Sequence, residues 1–228
     1  MADLSGDPQF SASEVSEEFS KLNNSALGLD GLSKNIIFPI LSIISPAVAS
    51  LFSALLRFSV SPSDWKIAVL ALIRKKGTSR VDLDNFRAVH LLSFFYKWFT
   101  RCLRRRILPF VADKIPEQQR GFIDGGSCAQ ALLALLTVVQ RETQEFGHLY
   151  ACFVDIRKAF PRVRREILYF KMARLGIPTI YIKCLSALYT DIQGSVRSSA
   201  GFCAPFRISQ GTREGCILSP LLFVIYIL

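Results

Sequence analysis

The sequence predicts an α+β fold, and three observations carry that expectation. Two strand-like runs, about Lys66 to Ile73 and Phe86 to Leu92, flank a basic loop that contains glycine. Two longer segments, Ser93 to Phe110 and Ser127 to Phe146, repeat apolar residues at helical spacing. A further strand-like run starts at Leu149. With 228 residues, 50% of them hydrophobic, the chain can bury a core as one large domain or two small lobes.

Taken in order, the first element is an acidic helix. Ser11 followed by Glu14 forms a capping box, with Val15, Phe19 and Leu22 on one face. It ends before the turn-forming stretch "NNSALGLDGL". Ile36 to Leu56 then runs without a charge and is long enough to cross a bilayer. Pro39, Pro46 and the serines between them and Leu56 favour instead two buried helical pieces, broken near Ser45 and Pro46.

The hairpin comes next, and its tip carries Arg74, Lys75, Lys76 and Arg80. In the helix from Ser93 to Phe110, Lys97, Arg101, Arg104 and Arg105 share one side, while Phe95, Phe99, Cys102, Leu103 and Ile107 share the other. The basic side suits a phosphate backbone, or is a solvated face. The helix from Ser127 to Phe146 is expected to bury Leu132, Leu135, Leu136 and Val139, to stop at Gly147 and to pack on the strand that follows.

That strand, "LYACFVDIRKAFPR", leads from apolar residues into Asp155. Asp155 lies too far upstream to cap a helix starting near Pro161. A strand-end carboxylate beside basic groups is better placed to hold a divalent cation. Pro161 suits the first turn of a helix, and "RVRREILYFKMARLG" supplies Val163, Ile167 and Phe170 as a buried stripe that ends at Gly176, with Arg162, Arg164, Arg165 and Lys171 on the other face.

Charge narrows the partner. Lys and Arg number 28 against 18 acids, yet the first thirty residues hold six of the acids and only Lys21 among the bases. From Gly31 onward the net charge is +15, with arginine the commoner base. The guanidinium fork matches phosphate, so nucleic acid leads; a solvated basic surface without a ligand is the alternative. The cysteines (102, 128, 152, 184, 203 and 216) include no CxxC pair and sit mostly in apolar runs, which argues against a disulfide scaffold or zinc site and for a reducing, intracellular setting. His90 and His148 are isolated, so no histidine-based triad can be assembled. The N-terminus lacks the blocks of a signal peptide.

Six words recur in register: "GLDGL" at 28–32, "SDWKIAVLALIRKKG" at 63–77, "DNFRAVHLL" at 84–92, "EQQRGFIDGGS" at 117–127, "FVDIRKAF" at 153–160 and "ISQGTREGCILSPLLF" at 208–223. Together they resemble the reverse transcriptase domain of non-LTR (LINE-type) retrotransposons, across nearly the whole chain. The resemblance implies a right-hand polymerase: an acidic lead-in at 1–27, fingers at 28–146 and a partial palm at 147–228. In that likeness Asp155 is the first metal-binding aspartate, and Phe160 closes off the 2'-position of the incoming sugar. Arg87, with Lys75 or Lys76, grips the triphosphate. Gln119, Arg120, Gly121 and Phe122 lie along the template path, and Gly211, Glu214 and Gly215 belong to the loop under the nascent base pair. The implied partners are an RNA template, a DNA primer and a deoxynucleoside triphosphate, with Mg2+ or Mn2+ as cofactor in the intact enzyme, in cytoplasm and nucleus and without a membrane.

Three departures stand out. Pro161 replaces the family's common Asp, and Glu214 replaces its Gln, which puts negative charge beside a triphosphate unless it is protonated or turned away. The [FY]xDD box with the other catalytic aspartates is absent. Two-metal transfer needs carboxylates that bridge both ions, so Asp155 alone is expected to leave the isolated chain inactive. Either the chain is a piece of an RNA-directed DNA polymerase, or it is a non-catalytic RNA-binding remnant. The closing "PLLFVIYIL" is apolar all round and is expected to be exposed in the isolated chain and to drive self-association.

Overall fold

Ser11 opens the first helix as its pattern requires. In the computed structural model, which describes residues 8–24, 26–79, 81–198 and 201–228, α1 spans Ala12–Ser20. The Ser11 hydroxyl accepts the Glu14 amide at 3.1 Å, which satisfies one of the amides a helix start leaves open. Val15, Phe19 and Leu22 are buried.

The apolar run breaks earlier than expected. α2 (Lys34–Ile37) passes into a 3-10 turn at Phe38–Ile40 that contains Pro39, and α3 (Leu41–Phe58) then continues through Pro46. Pro46 falls early in α3, where its missing amide removes a single helical bond. The hydroxyls of Ser45, Ser50 and Ser53 donate to the carbonyls four residues back, so these polar groups are satisfied within an apolar helix. Lys34–Phe58 is long and apolar enough to cross a membrane, with mean hydropathy 2.1. One side of α3, including Val48, Phe52, Leu55 and Leu56, is buried, while Ile43, Leu51 and Phe58 face outward.

β1 (Ile67–Arg74) and β2 (Phe86–Leu91) form the expected antiparallel hairpin, with Val69 opposite Leu91 and Arg74 opposite Phe86. Arg80, expected at its tip, lies outside the described residues. α4 (Phe94–Ile107) follows and buries Phe99, Cys102, Leu103 and Ile107. Its Trp98 donates the indole N–H to the Val15 carbonyl at 2.9 Å and stands among the rings of Phe19, Phe52 and Phe94. This aromatic cluster locks α1, α3 and α4 together.

α5 (Cys128–Phe146) has the expected bounds, with a Ser127–Gln130 capping box and Gly147 in the left-handed region at φ 77°. Its expected burial does not hold: Leu132 and Leu136 are exposed, and Leu135 and Val139 only half-buried. The strand expected at 149–155 is not formed either; residues 148–156 are irregular and exposed. One cause serves both. A strand without a neighbour leaves its amides and carbonyls to water, and without that strand α5 has no sheet to lie on.

Pro161 occupies the first turn of a 3-10 segment, Phe160–Arg162, and α6 (Arg165–Arg174) begins after it. The buried face is Val163, Leu168 and Met172, not Ile167 and Phe170; Phe170 is exposed. Arg165 explains the change, since it turns inward to collect backbone carbonyls and shares its helix side with Leu168 and Met172. α7 (Thr179–Tyr189) leads to β3 (Gln193–Ser198), β4 (Gly201–Phe202) and β5 (Phe206–Arg207). β3 pairs in parallel with β1, Ile67 opposite Gln193, and antiparallel with both β4 and β5. The sheet order is therefore β2-β1-β3-β4, with β5 also on β3.

The last helix, α8 (Ser219–Ile227), corrects another expectation. Leu221, Leu222, Val224 and Ile225 are buried within the chain itself, α6 packs against the helix, and Lys171 donates to the Tyr226 carbonyl at 2.6 Å. The C-terminal apolar helix is thus largely covered, while Ile227 and Leu228 at its end stay exposed. All six cysteines are free thiols, with Cys102, Cys184 and Cys216 buried.

Candidate active site

Three words of the sequence meet at the 211–215 loop. The Gly211 amide donates to the Val163 carbonyl at 2.9 Å, and the Thr212 amide to the Phe160 carbonyl at 3.0 Å. From the other side, the His90 amide of β2 donates to the Glu214 carbonyl at 2.9 Å. Both glycines are required by this closeness: a Cβ at Gly211 (φ 85°) would stand 2.7 Å from the Pro161 carbonyl oxygen, and one at Gly215 (φ 99°) 2.9 Å from that of His90. Hairpin strand, Phe160 turn and glycine loop are thereby sewn together by main-chain bonds.

Two arginines hold the loop from within. Arg165 donates to the carbonyls of Tyr189, Ile208, Gln210 and Gly211. Arg213, 1% exposed, donates to the Trp65 carbonyl at 2.7 Å and lies over the Tyr96 ring at 4.7 Å. Its Nε, the Thr212 hydroxyl and His90 Nδ1 are buried without partners. Burial, and then the Arg213 charge, push the His90 imidazole down to about 4. Glu214 is half-buried; burial raises its carboxyl above the usual range while Arg87 pulls it back. Burial thus disfavours the charge that the family likeness made unwelcome, and Arg87 favours it.

The residues at the hairpin tip are open to solvent. Lys75 donates its amide to the Asn85 carbonyl and its ammonium to the Asp84 carbonyl at 2.9 Å, Lys76 is exposed in the turn, and Arg87 is exposed on β2 opposite Ile73. Asp84 binds Lys158 at 2.6 Å and also Arg157, which hold its carboxyl below the usual range. This pair ties the hairpin end to the segment just after Asp155. Arg157 and Lys158 escaped the sequence reading, although they stand two and three residues from Asp155.

Asp155 itself is exposed in the irregular segment. Among the described residues no group of three or more His, Cys, Asp or Glu side chains gathers to hold a metal ion. A lone carboxylate does not provide the bridging donors that two divalent cations need, so the described residues alone do not complete a site for that cofactor.

The basic side of α4 is matched by α1. Arg101 pairs with Glu18 at 3.0 Å, Arg105 with Glu17 and Glu18, and Arg106 with Glu14. Lys97, 8% exposed, donates to the Ala26 carbonyl at 3.0 Å, and burial lowers its ammonium below the usual range. Arg104 binds Asp124 at 2.9 Å. The signal for this cover was present: Glu14, Glu17 and Glu18 fall on one helical side.

In the "EQQRGF" stretch, Gln119 donates to the Gly121 carbonyl at 2.9 Å, Arg120 is exposed, and Phe122 takes a positive φ of 65°. Gln119 and Arg120 line a cleft of about 220 Å³ with Ile115, Ile123 and Gly126. Phe160 is half-buried, with its ring centroid 5.7 Å from that of Phe122 and 5.3 Å from that of Phe223.

Comparison with known proteins identifies the family. The family model described as reverse transcriptase (RNA-dependent DNA polymerase) matches residues 73–228. The probable RNA-directed DNA polymerase from transposon BS of Drosophila melanogaster is 26% identical over 181 residues, covering 78% of this chain and 20% of that protein. The RNA-directed DNA polymerase from mobile element jockey of the same organism is 28% identical over 182 residues, with the same shares. The transposon TX1 uncharacterized 149 kDa protein of Xenopus laevis is 24% identical over 201 residues, covering 88% of this chain and 15% of that protein. The chain thus spans about 15–20% of the length of these relatives. On the family match and the six words in register, the chain belongs to the reverse transcriptase (RNA-dependent DNA polymerase) family, as a domain of the non-LTR retrotransposon type.

Proposed function

We propose that this chain is the nucleotide-selecting part of an RNA-directed DNA polymerase, and that template-directed transfer of deoxynucleotides is an activity of the longer protein. The single observation that carries this is the convergence of β2, the Phe160 turn and the 211–215 loop through main-chain bonds. Arg87 and Lys76 are exposed on the hairpin, available to a triphosphate, and Phe160 is half-buried in the turn bonded to the loop, available as a sugar gate. Residues 28–146 would serve as fingers and 147–228 as the start of the palm, with Gln119 to Phe122 along the template. Asp155 would supply one carboxylate of a divalent-metal site whose remaining donors come from elsewhere in the protein. An RNA template and a DNA primer are the partners, in an intracellular setting that suits six free thiols.

A second reading, an RNA-binding module without catalysis, is favoured by the solitary exposed Asp155. Primer extension on an RNA template separates the two. The 228-residue chain should extend nothing with Mg2+ or Mn2+. The full-length reading frame should extend, and Asp155→Asn in it should abolish extension. Activity that survives Asp155→Asn would remove Asp155 from the site, and a full-length protein that binds RNA but extends nothing would favour the second reading.

A further inference from the structure

Phe122 occupies an unusual place for a large apolar residue. Its φ of 65° lies in the left-handed region, where a bulky side chain is strained and glycine is not. Burial does not repay that strain, because the residue is 53% exposed. Its ring contact is with Phe160, edge-on at 5.7 Å and 72°. The second aromatic neighbour of Phe160 is Phe223 of α8, tilted at 5.3 Å.

We infer that Phe122 is a positioning residue for sugar selection, bracing the Phe160 ring so that it stays where a 2'-hydroxyl would have to go. This role presupposes the polymerase reading above and deepens it. The main chain of Phe160 is fixed by the Thr212 amide on its carbonyl, so what remains free is the ring. Phe223 comes from a helix largely buried in the core and packs on that ring at 5.3 Å. Phe122 packs on it at 5.7 Å from a loop that is itself held to α4 by the Arg104–Asp124 ion pair. A half-buried ring with one neighbour has more than one orientation open to it; two aromatic neighbours in edge and tilted geometry select one. The positive φ at Phe122 accompanies this edge-type contact with Phe160.

The test uses the full-length protein, comparing kcat/KM for a deoxynucleotide with kcat/KM for the matching ribonucleotide in primer extension. Phe122→Gly removes the ring and relieves the positive φ, so the fold is not put at risk. The ratio favouring the deoxynucleotide should fall about threefold to tenfold, the size of one aromatic pair, while the unfolding midpoint stays level or rises. Phe122→Tyr, which keeps the ring, should preserve the ratio. A Phe122→Gly protein with the wild-type ratio overturns the role. So does equal loss for both nucleotides with a lowered midpoint, since that marks a ring needed only for folding. A wild-type protein that extends no primer overturns the polymerase reading and this role together.

Discussion

The Arg101 guanidinium donates to Glu18 at 3.0 Å, and Glu18, 3% exposed, takes Lys21 and Arg105 as well. One buried carboxylate thus gathers three cations from two helices. Replacing it removes charge-assisted hydrogen bonds and leaves α4 with unmatched positive charge beside α1. Glu18→Ala should destabilise the chain by about 1.5–3 kcal/mol, read from urea unfolding. A midpoint equal to that of the wild type would mean the cluster is no more than a surface pairing.

Phosphate contacts should therefore come from cations that have no such partners. Arg162 and Arg164 are exposed beside the Phe160 turn. Replacing both with Gln should weaken binding to single-stranded RNA and reduce the salt slope by about 0.7 for each phosphate that is no longer neutralised. Arg101→Gln with Arg104→Gln should leave the slope alone and lower stability instead. The reverse pattern in filter-binding titrations would return the α4 stripe to the interface.

His90 makes stability depend on pH. Its imidazole is pushed from 6.5 down to about 4, so between those values the unfolded chain takes up a proton that the folded chain refuses. Stability is complete above pH 6.5 and falls as pH drops through the window, by up to about 3 kcal/mol. Glu214 works in the opposite sense: its raised carboxyl contributes stability below 4.5 that is lost as pH rises through its folded value. Chemical denaturation across pH in a Glu214→Gln background isolates the histidine. A flat profile there would show that His90 is hydrated in solution.

Arg213 should resist even a conservative change. Its fork reaches the Trp65 and Leu188 carbonyls while its plane covers Tyr96, and no carboxylate among the described residues neutralises it. Arg213→Lys retains the charge but loses the fork and the stacking, at a cost of about 1–3 kcal/mol. It should also leave His90 depressed, because both burial and a nearby cation persist. Arg213→Met should let the His90 imidazole move up, measured by its proton chemical shift across pH. An unchanged His90 titration in Arg213→Met would assign the whole effect to burial.

What could be read from the chain divides along a physical line. The β1–β2 hairpin, α4 and α5 are closed by local bonds, so periodicity, the Ser127 cap and Gly147 were enough to bound them. The run at 149–155 has equally strong strand chemistry, but a strand is completed by a neighbour, and propensity says nothing about whether one arrives. Periodicity likewise found the basic side of α4 without revealing that α1 lies on it. At the site, Gly211 and Gly215 announced close backbone approach, and it is there. Arg213 gave no signal, because an arginine between a threonine and a glutamate in a glycine loop reads as solvated until its burial is seen.

β1 is flanked by strands of very different origin. β2 follows it at once, whereas Gln193 of β3, opposite Ile67, emerges from the ribosome about 125 residues later. At ordinary rates of synthesis the wait is on the order of ten seconds, during which one edge of an apolar strand has no mate. The half-made sheet is then a target for chaperones and for the wrong strand. A ribosome pause or a rare-codon cluster placed before residue 193 should therefore lower the yield of folded protein more than the same pause placed after residue 198.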